Sequence, residues 1–475
     1  MNPSRRTLLS AGAGAAIAAL WPRALAAEGD YRGPELYGPV PDPVTKGVLV
    51  WDPSAQGYVA EEYFLSGLAD ITETVNMADA ADMSTRDNTA DLARRKFPLT
   101  LVAAQIPYVT RVILYRPAQP TAFSGRVIVE PIHPVGGGTT PVWSSLNAAF
   151  MANGDALAAV QHPVTFAGLM AVNFERYKPL QAAHPSLLWG MLADAGRLAK
   201  LQILAPTLNV RRVYMAGYSF TGVACATFAN YHHERTTLAP YKPVFDGYLP
   251  MANAAYVRPL DVPVIRLNTQ SDFAEFGGIA NRGRDYDLKS GRYRLYEAAG
   301  AAHVVAATPA AHAAKPPVGP APPPAPHQPH FDVAACYAGF PEGAAQNDFP
   351  LRVAQAGAFA NLYAWAEEGR RPPRAPLLQT DKAGALKLDE DGNVLGGLRF
   401  PQVSAPVATY GVGQDECHLF GYTKPFSAAA LAARYGSPDA YVALVEKQVA
   451  QLTKQRFVTA AGADELLARA RAVQF

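Results

Sequence analysis

The stretch that most constrains this chain is Val213-Tyr214-Met215-Ala216-Gly217-Tyr218-Ser219-Phe220-Thr221-Gly222. A short apolar run ends in Gly-Tyr-Ser, and an Ala- and Val-rich segment of helical character follows at once. An unbroken apolar run of this length reads as a strand buried on both faces, which needs helices on either side of its sheet. A strand that passes into a helix without a loop turns sharply at the serine. The turn strains the serine backbone and lifts the hydroxyl clear of the sheet. Glycine suits position 217 because a side chain there would collide with the next turn. The competing reading of Ser219 is a helix N-cap, a role that serine also fills well.

The same alternation runs through the rest of the sequence. Short β-branched or apolar runs at 108–115, 126–132, 156–160, 245–249, 262–268 and 292–296 predict strands. Helical spacing predicts helices at 186–204 and 220–231. Strands alternating with helices argue for an α/β chain with a mostly parallel central sheet flanked by helices. Ahead of this core, residues 33–43 read as a Pro-rich start, 46–51 and 58–65 as a strand pair, and 66–97 as loop and short helix. Behind it come a proline-rich spacer at 313–330, a helix at 350–368, turns and short strands at 370–425, and about fifty helical residues at the end. The 41 prolines and 38 glycines in 475 residues fit such a loop-rich chain.

A nucleophilic serine needs a base, and the base needs an acid to orient it. In the α/β-hydrolase fold these follow in the order Ser, Asp or Glu, His, each at the carboxyl end of a strand. Strand 262–268 leads into Thr269-Gln270-Ser271-Asp272, which puts Asp272 where the acid belongs. Strand 292–296 leads into Glu297-Ala298-Ala299-Gly300-Ala301-Ala302-His303, which puts His303 where the base belongs. Glu275, Asp285 and Asp287 remain alternative acids. The oxyanion formed in such chemistry needs fixed backbone donors. The Phe220 amide is one. The other is expected from Val135 or Gly136, in the loop His133-Pro134-Val135-Gly136-Gly137-Gly138, since Pro134 has no amide hydrogen.

Only a dozen residues separate Leu249 from Val262. That leaves no room for a lid in the interval after the nucleophile helix. A roof over Ser219 is therefore expected from elsewhere: residues 45–97, residues 163–190, or the segment after His303. No cysteine or histidine spacing suggests a metal site, and no cofactor is called for. Cys336 and Cys417 are the plausible disulfide pair, with Cys225 a buried thiol.

The N-terminus reads as a twin-arginine export signal over 1–26. Arg5-Arg6 precedes an uncharged stretch, and Ala24-Leu25-Ala26 supplies small residues for cleavage. A net charge of +2 points to no nucleic-acid partner, and no apolar run after the signal is long enough to span a membrane. Residues 27–475 are expected to form one domain, with a catalytic core at about 100–305 and a C-terminal extension at 306–475 packed on it.

The mature chain also resembles the bacterial α/β-hydrolase domain-containing proteins, many of them exported. The resemblance rests on residues 57–67, beginning Gly57-Tyr58-Val59-Ala60-Glu61-Glu62-Tyr63, on Pro107-Tyr108-Val109-Thr110-Arg111, on residues 123–130, beginning Phe123-Ser124-Gly125-Arg126, on Arg176-Tyr177, and on Asp391-Gly392-Asn393-Val394-Leu395-Gly396-Gly397-Leu398-Arg399. The family's Gly-x-Ser-x-Ser-Gly form is similar to Gly217-Tyr218-Ser219-Phe220-Thr221-Gly222. Ala299-Gly300-Ala301-Ala302-His303 matches its histidine loop. The chain departs from the family at the acid: relatives often carry Glu in this segment, where Gln270 stands in a candidate place for it, so Asp272 rests mainly on strand geometry. The resemblance implies a hydrolase of undefined substrate. Taken together, the residues predict an exported serine hydrolase acting on a small or oligomeric carboxylic ester. Lactonase, amidase or acyltransferase chemistry would use the same residues, and a non-catalytic binding protein on a hydrolase scaffold is the reading from another class.

Overall fold

A computed structural model of the chain describes residues 33–43, 52–74, 97–134, 139–239, 242–253, 255–275, 282–306 and 332–475. The export signal at 1–26, the strand expected at 46–51 and the proline-rich spacer at 313–330 lie outside these residues.

The fold is organised by an eleven-stranded sheet. Its strands are β1 (Glu35–Val40), β2 (Tyr58–Thr74), β3 (Leu99–Pro117), β4 (Arg126–Pro131), β5 (Ala156–Val160), β6 (Gln181–Ala182), β7 (Arg212–Tyr218), β10 (Gly247–Met251), β11 (Pro263–Thr269), β12 (Tyr286–Leu288) and β13 (Gly291–Ala298). Strands β5, β4, β7, β10, β11 and β13 lie side by side and parallel. Strands β1, β2 and β3 extend one edge antiparallel, and β12 closes the other. Two small sheets lie apart: β8 (Thr237–Ala239) with β9 (Lys242–Pro243), and β14 (Ala345–Gln346) with β16 (Gly421–Pro425) and β15 (Ala408–Val412).

The parallel strands are buried on both faces, as their unbroken apolar runs require. Ile128, Tyr214, Leu249 and Ile265 face one side. They meet α1 (Pro141–Asn153) and α8 (Leu351–Glu368) through Val142, Trp143, Phe359 and Leu362. Val127, Val213, Met215 and Val264 face the other side, against α4 (Leu188–Lys200) and α5 (Phe220–Thr227). Between α1 and α4 in sequence stand the short α2 (Phe166–Val172) and α3 (Phe174–Tyr177), and after α5 come α6 (Gln270–Glu275) and α7 (Val333–Ala338). The chain ends with α9 (Pro401–Ser404), α10 (Ala428–Tyr435), α11 (Pro438–Lys454) and α12 (Ala460–Arg471).

Three expectations change. Residues 35–40 of the Pro-rich start form β1, an edge strand, which is where a strand can carry proline. Residues 66–74, read as loop, continue β2 to Thr74, paired with β3 along its length. The helix expected at 220–231 ends at Thr227 and passes into a π-helical turn, Phe228–His232. Among the described residues no helix is long and apolar enough to cross a membrane.

The C-terminal residues complete the core. Beyond supplying α8, they brace the loop that carries His303. Leu398 extends the sheet past β13: its amide donates to the Glu297 carbonyl, and its carbonyl accepts from the Ala299 amide. Val304 donates to the Leu419 carbonyl, two residues from Cys417. Cys417 is bonded to Cys336, closing a sequence separation of 81 residues. Replacing both cysteines by serine is expected to lower unfolding free energy by about 2–4 kcal/mol, read from the denaturant midpoint, because the unfolded chain regains the freedom of a long loop.

Candidate active site

The serine turn is built from close backbone approaches. Ser219 has φ 59° and ψ −127°, outside the comfortable regions for a residue with a side chain. Its amide donates to the Met251 carbonyl at 3.1 Å, which ties the turn to the end of β10. A Cβ at Gly217 would fall 2.0 Å from the Thr221 carbonyl oxygen, and one at Gly222 would fall 2.1 Å from the Met251 carbonyl oxygen. Position 222, not 221, is therefore the one pressed against the neighbouring strand. Thr221 instead braces the turn from within. Its hydroxyl accepts from the Tyr218 amide and donates to the Tyr218 carbonyl, both at 2.9 Å. Gly222→Ala is expected to destabilise the protein by about 1–3 kcal/mol, measured by chemical denaturation, since it pushes β10 off the elbow.

Ser219 stands at the N-cap position of α5, yet its side chain makes no capping hydrogen bond. Its Oγ instead donates to His303 Nε2 at 2.8 Å, and His303 Nδ1 donates to Asp272 Oδ1 at 2.6 Å. His303 and Asp272 are 6% and 2% exposed. The other carboxylate oxygen, Asp272 Oδ2, accepts from the Thr269 amide and the Thr269 hydroxyl, both at 2.7 Å. The carboxylate is thus held on one side by the end of β11 and presents the other side to the imidazole.

Two of the rival carboxylates stand elsewhere. Asp285 accepts from the Leu295 amide at 3.1 Å, and Asp287 pairs with Arg294 and Arg374 at 2.6 and 2.7 Å. Both serve the β12–β13 edge. Glu275 ends α6, and its side chain lies outside the described residues.

Several residues that the sequence did not single out hold the histidine loop. The Gln270 side chain accepts from the Gly300 amide at 2.9 Å, and its backbone amide donates to the Ala301 carbonyl. Asn347, fully buried, donates from Nδ2 to the Gly300 carbonyl at 2.9 Å, and its own carbonyl accepts from the Ala306 amide at 2.7 Å. The Tyr218 hydroxyl donates to the His303 carbonyl. Burial, with Asp272 nearby, pushes that phenol well above its ordinary value, so it stays a donor at neutral pH. Asn347 and Leu398 lie far along the chain from His303, and no local pattern announces their contact with its loop.

The Phe220 amide opens α5 and has no acceptor within its own helix, so it is free to face an oxyanion. Val135 and Gly136 lie outside the described residues. The ends of their loop are anchored: the His133 amide donates to the Thr139 carbonyl at 2.7 Å, and Glu130 accepts from the Val142 and Trp143 amides at 2.7 and 3.1 Å. Burial pushes the Glu130 carboxyl up to about 8, against the pull of those two amides. His232 and His233, which follow the helix expected at 220–231, are buried. His232 stacks on Trp189, and His233 bridges the Tyr248 hydroxyl and Asp261.

A serine hydroxyl, an imidazole and a buried carboxyl side chain in this order can generate a nucleophile and shuttle its proton. Among the described residues, no group of histidine, cysteine and carboxylate side chains is set to hold a metal ion.

The chain is similar to several solved structures. One is an alpha-beta serine hydrolase homologue from Coxiella burnetii, at 16% identity over 41% of this chain and 84% of that one, with a TM-score of 0.26. A second is LpqC, a poly(3-hydroxybutyrate) depolymerase from Bordetella parapertussis, at 14% identity over 40% and 79%, with a TM-score of 0.27. A third is the rice cell wall degrading esterase LipA from Xanthomonas oryzae, at 10% identity and a TM-score of 0.23. That match covers 41% of this chain and 42% of LipA, so it spans less than half of that esterase's length. No curated protein matches the chain. Residues 32–468, nearly the whole sequence, match the model of the alpha/beta hydrolase domain, and the chain belongs to that family.

Proposed function

We propose that the protein hydrolyses a carboxylic ester through an acyl-enzyme on Ser219. The observation that carries this reading is the hydrogen-bond chain from Ser219 Oγ through His303 to Asp272, at 2.8 and 2.6 Å, set on a strained turn. Ser219 Oγ attacks the ester carbonyl as its proton passes to His303 Nε2. Asp272 stabilises the imidazolium and holds its orientation. The Phe220 amide, with a second amide of the 133–138 loop, takes the negative charge that develops on the carbonyl oxygen. The imidazolium then protonates the leaving alcohol, and the C–O bond breaks. Water, deprotonated by His303, attacks the acyl group and releases the acid. Esters are favoured over amides because an alkoxide or phenoxide is a much weaker base than the amide anion that is its counterpart, and so it leaves more readily.

Stopped-flow measurement with p-nitrophenyl acetate tests the reading. A burst of nitrophenol equal to the enzyme concentration, with an acetyl adduct on Ser219 by mass spectrometry, is expected. Turnover with no adduct on that peptide would count against it.

The same proposal puts the enzyme in the periplasm or outside the cell. The twin arginine at Arg5-Arg6 motivates this, and the Cys336–Cys417 bond supports it, since such bonds persist in oxidising compartments. N-terminal sequencing of the protein from a periplasmic fraction should begin close to Ala27. A full-length protein retained in the cytoplasm would exclude export.

A further inference from the structure

Three of the segments that carry the family resemblance converge on one buried network that the triad chemistry does not use. Glu62 of β2 pairs with Arg111 of β3 and with Arg176 of α3, and also accepts from the Tyr177 hydroxyl at 3.0 Å. Glu62 is fully buried and Arg111 is nearly so. Buried ion networks of this kind are poor contributors to stability compared with apolar packing. Their value lies in what they hold in place.

What this one holds is the end of β5. Arg111 Nη1 donates to Gln161 Oε1 at 3.2 Å, and the Arg111 carbonyl accepts from the Gln161 amide at 2.9 Å. The Thr110 hydroxyl donates to the Gln161 carbonyl at 2.9 Å. Gln161 Nε2 in turn donates to the Thr165 hydroxyl, which donates to the His162 carbonyl at 2.6 Å. The backbone at Gln161-His162 is thus clamped from both sides, and His162 is the residue it presents.

The His162 side chain is buried and its imidazole lies edge-on to the Phe220 ring, with centroids 5.6 Å apart. Phe220 directly follows Ser219, is 46% exposed, and also meets the His133 ring at 6.0 Å. Burial, with His133 nearby, brings His162 down to about 4, so the ring is neutral at pH 7 and carries one proton. The Val164 amide donates to its Nδ1 at 3.3 Å, which puts that proton on Nε2. Among the described residues Nε2–H has no acceptor.

We propose that His162 is a substrate-binding donor beside Ser219, and that its Nε2–H hydrogen-bonds an ether, hydroxyl or carbonyl oxygen carried by the ester next to its scissile carbonyl. This rests on the reading of Ser219 as the nucleophile. The half-exposed Phe220 ring forms the apolar surface against which that part of the substrate lies, and His162 supplies the polar contact at its rim. Substrates are then oxygen-substituted esters, such as hydroxy- or alkoxy-acid esters, in preference to plain alkyl esters.

The test compares two esters of the same shape, p-nitrophenyl methoxyacetate and p-nitrophenyl butanoate, with the full mature chain. The quantity read is the ratio of their kcat/KM values in wild type, His162→Phe and His162→Gln. Intrinsic reactivity cancels between enzymes, and a general folding defect lowers both rates together. His162→Phe should reduce the methoxyacetate-to-butanoate ratio about tenfold, as the loss of one hydrogen bond predicts. His162→Gln, which returns an N–H donor close to the Nε2 position, should restore most of it. His162→Ala gives the same reading if the larger ring is not accommodated. A ratio unchanged in His162→Phe and His162→Ala overturns the proposal while leaving ester hydrolysis intact. Turnover of neither ester by wild type overturns the ester reading and this one with it.

Discussion

Ser219→Ala is expected to lower kcat by about 10⁴- to 10⁶-fold and to abolish labelling by a fluorophosphonate probe. The size of the effect follows from the geometry. Ser219 Oγ lies on His303 Nε2, and alanine leaves the imidazole with nothing to deprotonate but water. His303→Ala should cost about as much, and the double variant little more, because the two act as one unit. Measured kcat for the single and double variants tests this. Additive losses would show that the two do not act as one unit, and wild-type labelling of Ser219→Ala would remove Ser219 from the mechanism. A companion effect concerns stability. At φ 59° and ψ −127° the residue is strained by about 1–3 kcal/mol. Ser219→Gly relieves that strain, so it should raise the denaturation midpoint while leaving the protein inactive. An inactive variant that is more stable than wild type is what a turn held taut for chemistry predicts. A lowered midpoint would show that the turn stores no strain.

Asp272→Asn is expected to lower kcat by about 10⁴-fold with the fold retained. The reason lies in Thr269. Both its amide and its hydroxyl donate to Asp272 Oδ2, so an asparagine must place its oxygen there and its NH₂ group towards His303. Facing an N–H donor, His303 Nδ1 becomes the acceptor and the ring proton moves to Nε2. Nε2 can then no longer take the proton from Ser219. Asp285→Asn and Asp287→Asn should keep kcat within a few-fold and show their effect in the denaturation midpoint instead, because these carboxylates hold Leu295, Arg294 and Arg374. A near-normal rate for Asp272→Asn would mean that another acid serves His303. Glu275→Gln is the variant to measure next in that case.

Much of the elbow could be read from contiguous residues. A strand, a glycine, a serine and a helix in immediate succession dictate a local backbone path, and local paths are encoded locally. The displaced glycine is the instructive detail. Sequence could say that Gly222 followed the pattern one residue late. The structure supplies the cause, which is the Met251 carbonyl at the end of the adjacent strand, pressed against position 222. The edge strand β1 was hidden by Pro39 within it and the prolines that flank it, and proline is a residue that an edge tolerates and a central strand does not. The histidines at 232 and 233 stand at a helix end, which is usually wet, and packing against Trp189 and Tyr248 buries them.

By itself, then, the sequence determined the α/β architecture, the serine turn and the places along the chain where a base and an acid could stand. Those features depend on hydrophobic period, on glycine and on the order of strands, all of which are properties of neighbouring residues. Only the tertiary structure decided which of the candidate carboxylates meets His303. It also decided that Gln270, Asn347, Leu398 and Leu419 hold the loop on which His303 sits, and that Glu62, Arg111 and Arg176 join to clamp His162 beside Phe220. The physical reason is that a hydrogen bond is made across space at under about 3.2 Å. Which residues come that close depends on the register of β11 against β13 and of β3 against β5, and on a C-terminal segment that returns to the sheet after the chain has passed its candidate catalytic residues.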